Sequence, residues 1–245
     1  MFCWICCKQV GEFLPYGLPP RRGRCPHCGA KPRGRLLGWL LKRVLCPRLP
    51  TGSQLMEVGA SKFSVEHLLT AEFLDGHRCT VIDLRRLGHH RRLQPPYGFV
   101  QMDLVQMGFR SNSFDLILCN NTLPYVSDDH RALREIHRCL KPEGLAIINT
   151  HREPGPTISA IEHRRLHPEL EESYYAVNGD QWVYGDDFFD RVGEAELGCT
   201  RVRVFGSQPD EFLVSNGLKR YNELIFAYTD SRALERCRHP EIELE

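Results

Sequence analysis

Ser113-Phe114-Asp115-Leu116-Ile117-Leu118-Cys119-Asn120-Asn121 opens the stretch whose reading decides the fold. A nearly continuous apolar run with polar ends is the pattern of a strand buried on both faces. Residues 128–140 then carry Ala132, Leu133, Ile136 and Leu140 at helical spacing, and Lys141-Pro142-Glu143-Gly144 stops the helix. Leu145-Ala146-Ile147-Ile148-Asn149-Thr150 is a second buried strand. Strand, helix, turn and strand make one unit of a parallel sheet covered by helices.

The same rhythm extends in both directions. Leu55-Met56-Glu57-Val58-Gly59 reads as a strand ending in a turn, followed by a helix over 64–74. Cys79-Thr80-Val81-Ile82-Asp83 and Gly98-Phe99-Val100-Gln101-Met102-Asp103 are strands that each end on an acid. Past the unit, a helix over 186–197 precedes strands near 200–205 and 222–229, with no convincing helix between those two. That predicts an antiparallel final hairpin and seven strands in all. Residues 151–185 break the pattern with three prolines and a polar–aromatic run that includes Asn178, Asp180 and Gln181. This insertion is expected to form a lid.

The chain has 245 residues, 42% hydrophobic and 26% charged, enough to bury a full core and too apolar for a disordered chain. It holds no run of about 18 apolar residues that could span a bilayer. The first residues show no charged leader or cleavage site, so a cytoplasmic location is expected. Eleven cysteines then point to metal binding or buried thiols before disulfides.

Four of these cysteines form the sharpest local signal. Cys3-x-x-Cys6 and Cys25-x-x-Cys28 are two knuckles separated by eighteen residues, with Gly11 and Gly29 following them. Such pairs turn all four sulfurs inward on a tetrahedral zinc ion, and a fully sulfur-filled site is structural. Cys7 is the only competitor, and adjacent residues rarely both face inward. The expected organisation is a zinc ribbon over 1–34, a linker helix over 35–53 and the α/β body over 54–245, with the lid at about 151–185. Residues 1–53 hold ten Lys/Arg against Glu12, a local +9, which leaves −8 on the rest and gives the net +1. A basic ribbon on an acidic body binds nucleic acid or docks on its neighbour.

In an open α/β sheet the ligand lies beyond the carboxyl ends of the strands. Here those ends carry Glu57, Asp83, Asp103 and Asn120. An acid after the second strand suits a ribose diol, and one after the third suits an adenine amino group. The first turn, Gly59-Ala60-Ser61-Lys62-Phe63, has neither phosphate-binding fingerprint. That favours an adenosine ligand without pyrophosphate.

These residues together resemble the class I S-adenosylmethionine-dependent methyltransferases of the type 11 kind, well over 54–150 and loosely beyond. Residues 55–59 look like the family's first motif, Asp83 like its ribose acid and Asp103-Leu104 like its adenine-side acid. The run from Ser113 to Asn120, through Val126-Ser127-Asp128-Asp129, to Arg134–Gly144 is the closest match. The ribbon followed by a Leu/Arg-rich helix also resembles a group of bacterial methyltransferases. The resemblance implies a Rossmann-like sheet of seven strands with the last antiparallel. It also implies S-adenosylmethionine as cofactor, held by Glu57, Gly59, Ala60, Ser61, Asp83, Leu84, Asp103, Leu104, Asn120 and Asn121. Two motif glycines are replaced by Ser61 and Phe63, which narrows the approach to the ligand's methionine part.

Candidate proton-handling groups are His151, after the fifth strand, and Tyr125, after the fourth, with His130 a weaker choice. Tyr174, Tyr175, Trp182 and Tyr184 in the lid are expected to line an acceptor pocket or to make the lid's own core. The preferred reading is methyl transfer to a small molecule or a peptide-borne group, with no membrane partner. Its competitors are an RNA (ribosomal RNA) methyltransferase gripping phosphates with the ribbon, and a non-catalytic zinc-ribbon adaptor. The acidic body and the expected lack of a basic patch at the site favour the first.

Overall fold

The computed structural model describes residues 1–16, 21–170, 179–218 and 223–245. Five strands, β5 (Gln54–Val58), β6 (Arg78–Asp83), β7 (Tyr97–Gln101), β8 (Phe114–Asn120) and β9 (Leu140–Asn149), run parallel in the order β9-β8-β5-β6-β7. Beyond β9 the sheet continues with β13 (Glu223–Tyr228), β12 (Gly198–Val204) and β14 (Ile242–Leu244), each antiparallel to its neighbour. The Rossmann-like sheet and its antiparallel β12/β13 pair match expectation. The strand count is eight rather than seven, because the C-terminal tail pairs Ile242 and Leu244 with Val204 and Val202 and covers an open edge. A short helix, α6 (Asp210–Ser215), stands between β12 and β13, where none was expected. Six residues are too few for a clear apolar period.

Side-chain alternation along the central strands divides the core into two layers. Leu55, Leu116, Leu118 and Leu145 face one layer, while Met56, Ile117, Cys119 and Ala146 face the other. The second layer is closed by Leu133 and Ile136 of α3 (Asp129–Cys139) and by Phe188 of α5 (Phe188–Gly193). The α3 N-cap is Asp128, whose carboxylate accepts from the Arg131 amide at 2.9 Å. The expected helix over 64–74 is instead one wide turn, Ser64–Leu68, and α2 (Ala71–Leu74). Cys46, Cys79, Cys119, Cys139 and Cys237 are buried core fillers, as their apolar settings imply.

The other layer is closed from the N-terminus. Helix α1 opens at Pro32, three residues before the expected boundary, and runs Pro32–Leu40, continuing as a wider turn through Leu41–Leu45. Pro at the first helical position sets the start. Leu36, Leu37, Leu40, Leu41 and Val44 are all buried against the sheet, so this segment is a structural layer of the body. Burying an aliphatic side chain contributes about 1.5–3 kcal/mol each, which outweighs the cost of ordering a short helix. Ahead of it lie β1 (Phe2–Cys3), β2 (Lys8–Gln9), β3 (Leu14–Tyr16) and β4 (Arg21–Arg24), paired as two small antiparallel ribbons. Trp4 and Trp39 pack on Phe205 with ring centroids 5.9 and 4.7 Å away.

The expected lid segment contributes β10 (Ile158–Ser159), α4 (Ala160–Leu166) and β11 (Trp182–Val183), with β10 and β11 paired. The Gln181 amide donates to the Pro124 carbonyl at 2.7 Å, which ties this unit to the loop after β8.

Candidate metal centre and cofactor cleft

The sulfurs of Cys3, Cys6, Cys25 and Cys28 all lie within 4.8 Å of one another. Cys3 Sγ is 3.7 Å from Cys28 Sγ, and Cys6 Sγ is 3.8 Å from Cys25 Sγ. A tetrahedron with zinc–sulfur bonds of about 2.3 Å has edges of about 3.8 Å, so the four sulfurs fit that ion. The second knuckle is shaped by Gly29, at φ +74°, whose amide donates to the Cys25 carbonyl at 3.0 Å. Cys7 is exposed, has φ +52° and points its thiol at the Trp4 carbonyl, away from the cluster.

Arg35 lies beside this cluster and is fully buried. Its guanidinium donates to the carbonyls of Ala30 (2.6 Å), Gly23 (2.7 Å) and Gly217, and sits 4.3 Å over the Phe13 ring. Burial pushes its pKa down, and the negative charges of Cys3, Cys25 and Cys28 oppose that shift. A buried cation needs compensating partners; the three carbonyls supply them, and thiolates on a bound metal would add to them. Gly217, at φ +62°, lets the body approach; a Cβ there would sit 2.5 Å from Phe13 and 2.6 Å from Arg35. Here ribbon and body are joined through carbonyls and rings.

The second site is the cleft at the carboxyl ends of β5, β6, β7 and β8. Gly59 has φ +65°, and a Cβ there would meet Thr122 Oγ1 at 2.6 Å. That hydroxyl donates to the Val58 carbonyl at 2.9 Å, pinning the turns after β5 and β8 together. Glu57 is buried and accepts from the Ser64 hydroxyl. Burial raises its pKa to about 7, partly offset by that bond. Glu57 Oε2 and Asn120 Oδ1 are buried polar atoms with no partner among the described residues.

Asp83 and Asp103 each accept a local amide through Oδ1, from Arg85 and Val105, both at 3.0 Å. These bonds orient the two carboxylates at the ends of neighbouring strands and leave the other oxygen of each for a ligand. Leu104 is buried beneath, whereas Leu84 is 61% exposed. Both His89 and His90 donate through Nε2 to the Ala60 carbonyl, at 2.9 and 3.0 Å, which fastens the segment after β6 to the first turn. Ser61 caps that turn by accepting the Ser64 amide at 3.1 Å. Unsatisfied buried acceptors, the glycine cradle and two oriented carboxylates fit an adenosine ligand bearing hydroxyls and an amino group.

The N-terminal layer reaches this cleft, a link absent from the sequence reading. Arg33 Nη1 donates to Asn121 Oδ1 at 2.7 Å. Asn121 stands at φ +54°, the residue before Thr122. Gly34 lies so close to Phe63 that a Cβ would be 2.6 Å from its ring. The aromatic that replaces a motif glycine is thus accommodated by the glycine of α1. Spacing alone could not reveal a partner 88 residues away.

The candidate proton-handling residues are less tightly built. His151 is more than half exposed, with Nε2 3.6 Å from Glu153, which also accepts from the buried His163 at 3.0 Å. Tyr125 is 38% exposed, and its hydroxyl bonds to the Asp180 carboxylate. His130 pairs with Glu194 at 3.1 Å on α3. Tyr174 and Tyr175 lie outside the described residues. Trp182 is half-buried and donates to the Val126 carbonyl at 2.9 Å.

Two expectations need correction. Tyr184 is 1% exposed, donates to Asp129 at 3.0 Å and packs on Phe188, so it belongs to the core and not to a pocket wall. Its phenol pKa is pushed up by burial and by the neighbouring carboxylate. The expected lack of a basic patch also fails. Arg85 and Arg86 are exposed directly after Asp83, Arg91 and Arg92 are exposed further along the same connection, and the half-buried Arg33 reaches Asn121 after β8. Net charge over a whole body hides such local clusters.

Residues 57–148 match the methyltransferase domain family. Over 129 residues, 51% of this chain and 56% of the relative, it is 27% identical to a 2-phytyl-1,4-naphtoquinone methyltransferase from Nostoc punctiforme. It is 29% identical over 150 residues, 61% of this chain and 46% of the relative, to the mitochondrial arginine-hydroxylase NDUFAF5 of Danio rerio. The chain thus spans about half the length of these curated relatives. A solved S-adenosylmethionine dependent methyltransferase from Mesorhizobium loti shares the fold, with TM-score 0.56 and 18% identity over 82% of this chain and 99% of that one. Among the described residues, no helix is long and apolar enough to cross a membrane. Motif order and family match agree that residues 57–148 form a methyltransferase domain, and the sheet has the fold of a solved S-adenosylmethionine dependent methyltransferase.

Proposed function

We propose that this chain transfers a methyl group from S-adenosylmethionine to an apolar small molecule, with one structural zinc ion in its N-terminal ribbon. The observation that carries the reading is the pair of oriented carboxylates, Asp83 and Asp103, beside the Gly59 cradle and the unpartnered Asn120 and Glu57 oxygens. When bound, the cofactor supplies a methyl group activated on a sulfonium. Asp83 holds the ribose hydroxyls, Asp103 accepts from the adenine side, and Leu104 supports the base. Gly59, Ala60 and Ser61, with Asn121, shape the wall for the methionine part. Leu84 borders the ribose end.

In-line transfer needs mainly alignment, with a base only where the acceptor carries a proton. His151, biased by Glu153, and Tyr125, held by Asp180, are the groups we assign to that proton. Trp182, with the unit tied to the loop after β8, borders the acceptor side. Similarity to a naphthoquinone methyltransferase supports an apolar acceptor over a peptide-borne one. Zinc rests on the tetrahedral spacing and on Arg35 as counter-charge.

Calorimetric titration with S-adenosylhomocysteine tests the cofactor half. Binding is expected for the wild type and a loss of tenfold or more for Asp83→Ala, since each bond to a charged acceptor contributes about 1.5–3 kcal/mol. A folded protein that does not bind it at all is the adaptor of the competing reading.

A further inference from the structure

From Leu84 to Gln101 the chain holds four arginines and two histidines and no acidic residue. This segment leaves β6 at Asp83 and crosses to the start of β7, the parallel edge strand, and its first half, tied to the Ala60 turn, forms one rim of the cleft. Arg92 pairs with Glu66, and Arg86 lies 5.6 Å over the Phe99 ring. His90 stacks on that ring at 4.6 Å, and His89 and His90 hold the Ala60 carbonyl, so the rim has a fixed shape. On it Leu84 and Leu87 stand 61% and 45% exposed among Arg85, Arg86 and Arg91, also exposed.

Among the described residues nine large apolar side chains are exposed, and Leu84, Leu87 and Val100 fall in this one segment. Single exposed aliphatics are ordinary, but several beside exposed arginines mark an interaction face.

We infer that this rim docks on an anionic lipid surface and so brings the cleft to an acceptor dissolved in a membrane. The inference rests on the proposal of an apolar acceptor and replaces the expectation of no membrane partner. Arginine interleaved with protruding leucine is the pattern of an interfacial contact: the cations meet lipid phosphates and the aliphatics enter the acyl boundary. A single-stranded RNA would use the same arginines, but it needs aromatic platforms, not exposed leucines. The rim's own rings, His90 and Phe99, are stacked on each other.

Sedimentation with phosphatidylcholine vesicles, with or without phosphatidylglycerol, tests this on the full chain. Binding is expected only to the vesicles with phosphatidylglycerol and should weaken as salt rises. The double variant Arg86→Gln/Arg91→Gln should lower partitioning about 25-fold, from roughly fivefold per arginine. Leu87→Ser should lower it several-fold without changing the salt dependence. Both variants should bind S-adenosylhomocysteine like the wild type, which shows that they fold. Equal indifference to both lipid mixtures overturns the inference. Tighter binding to single-stranded RNA, lost with the arginines and unmoved by Leu87→Ser, overturns it in favour of RNA. Failure of the wild type to bind S-adenosylhomocysteine, with vesicle binding intact, counts against the proposed function alone.

Discussion

Replacing Arg35 by Met tests the joint between ribbon and body. The substitution preserves a long apolar stem but removes the donors to Ala30, Gly23 and Gly217 and the cation beside Cys3, Cys25 and Cys28. The Ala30 carbonyl keeps the Cys25 amide as a partner, at 2.8 Å, so the loss concentrates on the other two carbonyls and the thiolate charge. Buried bonds from a charged donor contribute about 1.5–3 kcal/mol each, and breaking a buried charge pair costs about 3–5 kcal/mol. These figures overlap rather than add, giving about 4 kcal/mol, a large share of the roughly 5–15 kcal/mol by which domains are stable. Urea unfolding can be followed by the fluorescence of Trp4 and Trp39; Trp4 Nε1 itself donates to the Arg35 carbonyl at 2.8 Å. Arg35→Lys, which keeps the charge and loses the fork, should fall between wild type and Arg35→Met. Chelators should strip zinc fastest from the Met variant. A Met variant within about 1 kcal/mol of wild type that retains its metal would refute the counter-charge argument.

Metal analysis of protein prepared without chelator should find about one zinc per chain, and Cys25→Ser should lose it; a metal-free wild type would end the zinc proposal. Glu57 titrates near pH 7 in the fold against an ordinary value of 4.5, so the folded state binds its proton more tightly. Its contribution is therefore greatest below pH 4.5 and falls as pH rises to about 7, by about 3 kcal/mol in all. Glu57→Gln should flatten that part of the stability–pH curve in the ligand-free protein, and parallel curves would show that the burial argument is wrong. Gly59→Ala should weaken S-adenosylhomocysteine binding at least tenfold, because its left-handed φ and the 2.6 Å contact force Thr122 off the Val58 carbonyl; unchanged affinity would remove Gly59 from the site. Trp182→Ala should slow methyl transfer far more than it weakens cofactor binding, since it frees the Val126 loop; equal losses would return Trp182 to ordinary core.

The succession of strands along the chain, the ribbon's four ligand candidates and the carboxylates of the cleft are legible in the chain because each depends on short-range rules. Apolar runs with period 2 or 3.6 declare buried strands and helices. CxxC spacing declares four converging sulfurs, and an acid at a strand end stays at that end whatever packs around it. Lone-pair partners are also local where the chain folds back on itself, as Asp83 does with the Arg85 amide two residues on.

Contacts between distant segments are another matter, and the tertiary structure alone decided them. Nothing in Arg33 announces Asn121, and nothing in Gly34 announces that it makes room for Phe63. Tyr184 reads like any lid aromatic until Asp129 and Phe188 close around it. Arg35 counts as one more basic residue of a charged ribbon until three backbone carbonyls and a thiolate cluster enclose it. The physical reason is common to all four. Period and spacing constrain a side chain's direction from its own element, whereas burial and pairing depend on which element packs opposite, and that is fixed only when the whole sheet and its two layers assemble.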